Sequence, residues 1–260
     1  MPLSSEPIQS RRYDRLTAHI FDTAAALGAK AAEDLAAILE GSIARRGVAS
    51  VVVATGNSQL EFMAALRRRR DVEWGKVLVF HMDEYLGMSD RHPASFRRYI
   101  QEKLTDVVRP RVFFGILGDT RDVAGELRRY TGLLREYPPD ACVMGIGENG
   151  HLAFNDPPAD FSTAETIHVV RLDDACRMQQ VSEGHFATLE EVPDRALSLT
   201  VPTLLSARRL LVVVPERRKA AAVAAASEGP VTPDCPASIL QRQSHACLYL
   251  DRESSSLLAN

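Results

Sequence analysis

The sequence predicts an α/β protein of three layers, α/β/α, in which helices cover both faces of a mostly parallel, Rossmann-like sheet. Two observations predict this fold. Short apolar runs alternate with segments of helical spacing almost throughout the chain. Several apolar runs also end in polar turns, as parallel strands do where a ligand binds beyond their carboxyl ends. The 260 residues contain no internal repeat and no long linker, so we expect a single domain over residues 1–260.

In the first half of the chain, strands and helices alternate regularly. Residues 1–12 are polar and are expected to form a flexible arm. Apolar runs predict strands at residues 51–54, 76–80, 112–114 and 141–144. Helical spacing predicts helices at residues 30–46, 60–69, 95–104 and 123–136. Pro93 near the start of the third helix and Pro138 after the fourth are typical of helix boundaries.

The second half of the chain continues the alternation less regularly. Extended segments are predicted at residues 166–170, 196–201, 210–214 and 246–250. An alanine-rich helix is predicted at residues 217–226. Residues from about 156 to 195 have the weakest regular pattern and are rich in charge and glutamine. We expect this segment to be a mobile lid over a binding site.

The composition narrows the classes of partner. Hydrophobic residues make up 45% and charged residues 25%, and the net charge is 31 − 34 = −3, so no basic excess indicates nucleic acid. No apolar run approaches the roughly 20 residues of a membrane span. The four cysteines are widely spaced and form no CxxC pair. We therefore expect reduced thiols and a cytoplasmic location, with neither nucleic acid nor a membrane as a partner.

The most informative segment is the glycine-rich turn from Gly145 to Pro157, which follows the strand at residues 141–144. It presents His151, with Asp156 five residues later. An imidazole oriented by a carboxylate can transfer protons at neutral pH. Two alternatives stay open, namely a histidine that only caps the loop and a metal ligand acting with His81 and Asp83.

A second strand end carries an acid. Asp83 follows the strand at residues 76–80 and could act as a general base. The alternative is an aspartate that caps a turn or a helix.

Two further segments are suited to an anion. The turn Thr55-Gly56-Asn57-Ser58 lies between a strand and a helix and offers backbone N–H groups and hydroxyls. A plain strand-to-helix turn would look the same, and no Walker-type lysine follows it. Lys219 begins a helix, where a cation opposes the helix dipole unless it meets an anion. A solvated lysine is the alternative.

Taken together, these segments resemble the glucosamine-6-phosphate deaminase/isomerase family, in the same order from Val51 to Leu250. The most specific matches are Met82-Asp83-Glu84-Tyr85, the nearby His92-Pro93-Ala94-Ser95, and the turn from Gly145 to Pro157. The resemblance implies the family's fold and its reaction, in which an amino-sugar 6-phosphate is isomerised and loses ammonia as fructose 6-phosphate forms. It implies neither a metal nor an organic cofactor.

The resemblance also assigns roles to residues. His151, with Asn149 and Asp156, would open the sugar ring, and Asp83 would move a proton from C2 to C1. The residues that would bind the sugar phosphate are Thr55, Gly56, Asn57, Ser58, Gly147, Arg177 and Lys219. Relatives occur in several assembly states, so the chain could form a homo-oligomer.

The chain departs from the family pattern at two places. Asp156 stands where glutamate is usual, which draws the carboxylate back by about 1–1.5 Å. The stretch from Gln179 to Phe186 lacks a second arginine that helps to hold phosphate. Two other functions stay open: a 6-phosphogluconolactonase of the same fold, and a sugar-phosphate sensor without catalysis. Asp83 and the segment from Ala153 to Pro157 favour the deaminase over the lactonase.

Overall fold

A computed structural model describes residues 6–182, 184 and 186–259, and within them the strands form an eight-stranded sheet and a three-stranded sheet. The strands are β1 Gln9–Tyr13, β2 Leu16–Phe21, β3 Ala49–Val53, β4 Val77–His81, β5 Asp83–Tyr85, β6 Val112–Phe114, β7 Ala141–Met144, β8 Ile167–Arg171, β9 Arg195–Leu199, β10 Leu210–Val214 and β11 Ala246–Asp251. The larger sheet has the order β1-β2-β11-β10-β7-β3-β4-β6. All its neighbouring strands are parallel except β1, which pairs antiparallel with β2.

Helices connect these strands. They are α1 Ala24–Arg46, α2 Leu60–Leu66, α3 Phe96–Ile100, α4 Asp106–Val108, α5 Val123–Glu136, α6 Asp174–Ser182, α7 Val201–Leu205 and α8 Ala220–Glu228. A π-helical turn, Gln101–Thr105, joins α3 to α4. The long helix α1 begins where the Thr23 hydroxyl accepts a hydrogen bond from the Ala26 backbone N–H, and it ends at Gly47, whose φ of 73° closes the last turn.

Two hydrophobic layers hold the helices on the sheet. Alternate residues of each central strand point to opposite faces, so both faces are apolar. One layer joins α1 and α2 to the sheet through side chains such as Leu35, Phe62 and Val79. The other layer joins α5, α7 and α8 to the opposite face, for example through Tyr130, Leu204 and Val223. The predicted three-layer arrangement with a mostly parallel sheet is confirmed.

The amino-terminal segment differs from the expectation. Residues 9–12, predicted to lie in a flexible arm, belong to β1, which pairs with β2 from Gln9 opposite Ile20 to Tyr13 opposite Leu16. This part of the prediction is wrong, because backbone pairing with β2 holds a segment whose side chains are mostly polar. Residues 1–5 of the predicted arm lie outside the described residues.

The second departure is the small sheet, in which β5, β9 and β8 are antiparallel neighbours. The segments predicted as extended at residues 166–170 and 196–201 therefore lie outside the main sheet. The predicted lid, residues 156–195, contains β8 and α6 and so has more regular structure than its sequence suggested. Its mobility stays a prediction. None of the described helices has the length and apolar character that crossing a membrane requires.

Candidate active site

A cavity lies at the carboxyl ends of β3, β4, β7 and β10, where polar turns leave the main sheet. Its lining includes most of the predicted site residues, namely Thr55, Gly56, Asn57, Ser58, Asp83, Gly147, His151 and Lys219. Asn149 and Asp156 are not part of the lining but contact the histidine loop. Parallel strands bring these residues together because their carboxyl ends share one edge of the sheet.

His151 lines the cavity and is contacted from behind by Asp156 and Asn149. Its Nδ1 is 3.2 Å from Oδ1 of Asp156, although the two groups are not aligned as a hydrogen bond. The Asn149 side-chain amide donates to the same carboxylate oxygen at 3.0 Å, and its carbonyl accepts from the His151 backbone N–H at 3.1 Å. The carboxylate thus faces Nδ1 of the imidazole and is itself held in place by Asn149. The structure therefore favours a proton-transfer group over a histidine that only caps a loop.

Gly147 lines the cavity, as expected, and it also supports the His151 ring. A Cβ at this position would lie 2.3 Å from Cε1 and Nε2 of His151, so the imidazole ring rests directly on the glycine backbone. The backbone N–H of Gly147 also donates to the His151 carbonyl at 3.0 Å. The glycine lines the cavity, and its missing side chain is what gives the ring its place.

Asp83 is the first residue of β5 and only 6% exposed. Its Oδ1 has no hydrogen-bond partner among the described residues. Burial, and then the neighbouring charge of Glu84, raise the pKa of Asp83 to about 8. A buried carboxyl group with a raised pKa at a cavity wall is typical of a catalytic base.

Glu84 faces away from solvent and organises the wall beside Asp83. Its carboxylate accepts from the Ser95 hydroxyl at 2.7 Å and from the backbone N–H groups of Phe96 and Arg97 at 3.1 and 2.9 Å. These donors form the first turn of α3, so the glutamate fixes the segment from Pro93 to Phe96 that lines the cavity. Burial raises the pKa of Glu84, against the lowering effect of these hydrogen bonds.

The turn from Thr55 to Ser58 forms another wall. Gly56 has a φ of 100°, a conformation that favours glycine, and its carbonyl accepts from the Tyr99 hydroxyl at 2.9 Å. The buried Gln59 anchors the turn by donating to the Val213 carbonyl at 3.1 Å. Backbone N–H groups and hydroxyls are thus held at the end of β3 in a shape that suits an anion.

Among the described residues that line the cavity, Lys219 is the one lysine or arginine. It is only 4% exposed and ends the 3₁₀ turn that precedes α8. Next to it, Arg218 pairs with Glu148 of the histidine turn at 3.1 Å, which joins the two segments. The burial of Lys219 argues against the alternative of a solvated lysine.

Arg177 does not reach the cavity, contrary to the expectation. Its guanidinium group donates to the carbonyls of Leu189 and Val192 at 2.7 and 3.1 Å and pairs with Asp174 at 3.0 Å. Its donors are therefore used to fasten α6 to the following loop. The residue of α6 that does line the cavity is Gln180, whose Oε1 accepts from the Tyr85 hydroxyl at 2.9 Å.

The metal alternative finds no support at His81. Its Nε2 accepts from the Ile116 backbone N–H at 2.7 Å inside the core, and burial lowers the pKa of this histidine to about 3. Within the described part of the chain, no three histidine, cysteine or acidic side chains are arranged to hold a metal ion.

One strand connects the two acid–base groups. Asp83 lies opposite Ser198 in the pairing of β5 with β9. The Ser198 hydroxyl accepts from the Phe154 backbone N–H at 3.1 Å, and the Asn155 amide donates to the Leu199 carbonyl at 2.8 Å. The loop that carries His151 is thereby attached to the strand that pairs with the base.

Sequence reasoning did not identify several cavity residues, including Ser95, Tyr99, Phe154 and Gln180. The segments that carry Ser95 and Phe154 belong to the motifs quoted for the family resemblance, which was a usable signal. Tyr99 and Gln180 lie inside helices, and no local pattern distinguishes them from surface or core positions.

Comparisons with known proteins identify the family of the chain. The family model described as glucosamine-6-phosphate isomerases/6-phosphogluconolactonase matches residues 22–249. A glucosamine-6-phosphate deaminase of Exiguobacterium sibiricum is 38% identical over 211 residues, covering 81% of this chain and 82% of the relative. One of Listeria innocua is 33% identical over 221 residues, covering 85% and 92%.

Solved structures show the same relationship. A monomeric glucosamine-6-phosphate deaminase superposes with a TM-score of 0.85 at 29% identity, covering 92% of this chain and 99% of that one. A 6-phosphogluconolactonase of Trypanosoma brucei has a TM-score of 0.76 at 16% identity, covering 96% and 100%, and so shares the fold.

Proposed function

The chain belongs to the family of glucosamine-6-phosphate isomerases and 6-phosphogluconolactonases, and we propose that it converts glucosamine 6-phosphate into fructose 6-phosphate and ammonia. Both relatives named above at 33% identity or more are glucosamine-6-phosphate deaminases, which supports an enzyme of this type. The observation that carries the proposal is Asp83, a buried carboxyl group of raised pKa that lines the same cavity as His151. Isomerisation between C1 and C2 requires such a base.

His151 opens the sugar ring in this proposal. Its imidazole moves a proton between the ring oxygen and O1, which exposes the C1 aldehyde. The Asp156 carboxylate lies 3.2 Å from Nδ1 on the side of the ring, and Asn149 holds that carboxylate in place. The imidazole ring packs directly against the Gly147 backbone.

Asp83 carries out the isomerisation. Its carboxylate removes the proton from C2 while the C1 carbonyl accepts the electron pair, which gives an enolamine. The same carboxyl group returns the proton to C1, and water then hydrolyses the resulting imine at C2 to a ketone and ammonia. A base with a pKa of about 8 takes a carbon-bound proton more readily than an ordinary aspartate does. No cofactor is needed because the substrate's own carbonyl is the electron sink.

In this proposal the phosphate group binds to the residues of the cavity lining that carry donors and positive charge. The turn from Thr55 to Ser58 offers hydroxyl and backbone donors, and Lys219 offers the positive charge. A phosphate also explains why a lysine is buried at the start of α8, where the helix dipole alone would disfavour it.

Lactone hydrolysis is the competing activity in the same family, and the site disfavours it. Hydrolysis of 6-phosphogluconolactone removes no proton from C2, so it gives the buried carboxyl group of Asp83 no task. Keeping that carboxyl group away from water costs stability, and only isomerisation uses it.

The direct test is the incubation of the purified protein with glucosamine 6-phosphate, without added metal. Fructose 6-phosphate and ammonia are expected in equal amounts, and 6-phosphogluconolactone offered in parallel is expected to hydrolyse at its uncatalysed rate. Rapid lactone hydrolysis without ammonia release from the amino sugar would refute the proposal. Binding of glucosamine 6-phosphate without product would instead identify a sensor.

The cellular setting is also a proposal. We place the enzyme in amino-sugar catabolism in the cytoplasm, which the cysteines without disulfides at 142, 235 and 247 support. A homo-oligomer stays a proposal that the molar mass in solution tests, and the similar solved deaminase is described as monomeric.

A further inference from the structure

Gln180 occupies a cavity position that the proposed reaction leaves without a task. It lies on α6, in the predicted lid, and is 7% exposed. Its Oε1 accepts from the Tyr85 hydroxyl at 2.9 Å. Its Nε2 has no acceptor among the described residues, so two N–H donors are available to a bound molecule.

Tyr85 is a rigid support for this amide. Its side chain is fully buried, and its ring lies 5.0 Å from the ring of Phe96, 5.4 Å from that of Phe154 and 5.5 Å from that of Phe186. Tyr85 follows Asp83 by two residues on β5, so both side chains leave the same face of the strand. The glutamine amide is therefore fixed on the side of the cavity that carries the base.

The chemistry of the amide limits what it can bind. It is uncharged and cannot neutralise a phosphate, a task that Lys219 and the turn from Thr55 to Ser58 can perform. In the proposed reaction, Asp83 acts at C1 and C2, and His151 acts at the ring oxygen and O1. The groups of an amino-sugar 6-phosphate that are left for a neutral donor are the hydroxyls at C3 and C4.

We propose that Gln180 binds the substrate by donating from Nε2 to the C3 or C4 hydroxyl, and that Tyr85 is the positioning residue that holds the amide for this contact. The inference rests on the proposed function, since it takes an amino-sugar 6-phosphate as the ligand. It makes Gln180 a residue that distinguishes sugar phosphates by their hydroxyl pattern rather than by their charge.

The first experiment compares Gln180→Leu, Tyr85→Phe and the double variant with the wild type. Leucine keeps the volume but removes the donors, and kcat/KM for glucosamine 6-phosphate is expected to fall on the order of tenfold. Tyr85→Phe keeps the aromatic packing, and its smaller loss should vanish once Gln180 is already leucine. Met178→Ala, on the exposed side of α6, is the matched control and should leave kcat/KM unchanged.

The second experiment uses substrate analogues that lack the hydroxyl at C3 or at C4. The wild type should lose about tenfold in kcat/KM with one of them, and Gln180→Leu should show no further loss with that analogue. Binding of inorganic phosphate should be the same in the wild type and in Gln180→Leu, which also shows that the variant is folded.

Two results would overturn the inference. One is an unchanged kcat/KM in Gln180→Leu, and the other is additive losses for the variant and both analogues. Failure of the proposed function is recognised separately, because the wild type itself would then release no ammonia from glucosamine 6-phosphate.

Discussion

Replacing Asp83 by asparagine should remove activity and at the same time stabilise the protein. Asparagine has nearly the shape of aspartate but carries no charge and cannot accept the C2 proton. Deuterium exchange at C2, followed by NMR in heavy water, is expected to fall by at least about 1000-fold. Binding of the sugar phosphate should survive, because the turn from Thr55 to Ser58 and Lys219 are untouched.

The stability gain follows from the raised pKa. A carboxyl group with an ordinary pKa of 3.8 that titrates at about 8 in the folded protein opposes folding at every pH at which the unfolded chain ionises it. The limit is about 6 kcal/mol, taken as about 1.4 kcal/mol for each pH unit between the two values. Water in the open cavity recovers part of this cost, so we expect about 1–4 kcal/mol, or at least about 2 °C in Tm.

The sign fixes the pH window of the effect. A group whose folded pKa is raised contributes stability that is complete below pH 4 and is lost as the pH rises to about 8. The Tm of Asp83→Asn should therefore match that of the wild type near pH 4 and exceed it increasingly up to pH 8. Thermal unfolding between pH 4 and 8.5 measures this difference.

An exposed aspartate provides the control. Asp90→Asn, a few residues along the chain at an exposed position, should change neither C2 exchange nor the pH dependence of Tm. If Asp83→Asn differed from the wild type by a constant Tm at every pH, the carboxyl group would not be the buried high-pKa group described above. Undiminished C2 exchange in the variant would refute its role as the base.

Three further substitutions test the rest of the site. Gly147→Ala should lower kcat by about 100-fold or more, because the new methyl group would meet the His151 ring at 2.3 Å. The affinity for inorganic phosphate should change little. An alanine variant with full activity would show that the ring can shift at no cost. Lys219→Ala should weaken the binding of glucosamine 6-phosphate at least tenfold while leaving glucosamine unaffected; calorimetry that finds equal weakening for both sugars would remove the lysine from the phosphate site. Glu84→Gln should shift the acidic limb of the pH profile of kcat/KM to lower pH by roughly half a unit or more, because the Glu84 charge that helps to raise the pKa of Asp83 is gone. An unchanged pH profile would contradict this effect of Glu84 on Asp83.

The central sheet was predictable because its strands are continuous apolar runs. Strands such as β3, β7 and β10 are buried on both faces, so their sequences contain little else than valine, leucine, alanine and methionine. The second strand, β2, escaped prediction. It alternates buried Leu16 and Ala18 with the partly exposed Thr17 and His19, and so gives a weaker signal.

The candidate site was predictable where chemistry and turn coincide. His151, Asp83 and the turn from Thr55 to Ser58 each follow a recognisable strand, so the geometry of a parallel sheet brings them together. Arg177 shows the limit of such reasoning. A guanidinium group near a site can serve a phosphate or nearby carbonyls, and only the position of Leu189 and Val192 decides between the two.

The attachment of β9 to both halves of the site has a consequence for redesign. Ser198 pairs across the strands with Asp83 and accepts a hydrogen bond from Phe154, yet it lies outside the cavity lining. The distance between Asp83 and His151 is thus set by a third segment, β9. Its Ser198 follows Asp83 by 115 residues and His151 by 47 (198 − 83 and 198 − 151). An engineer who wishes to accommodate a longer or shorter sugar would begin by shifting β9, and would leave the reactive side chains as they are.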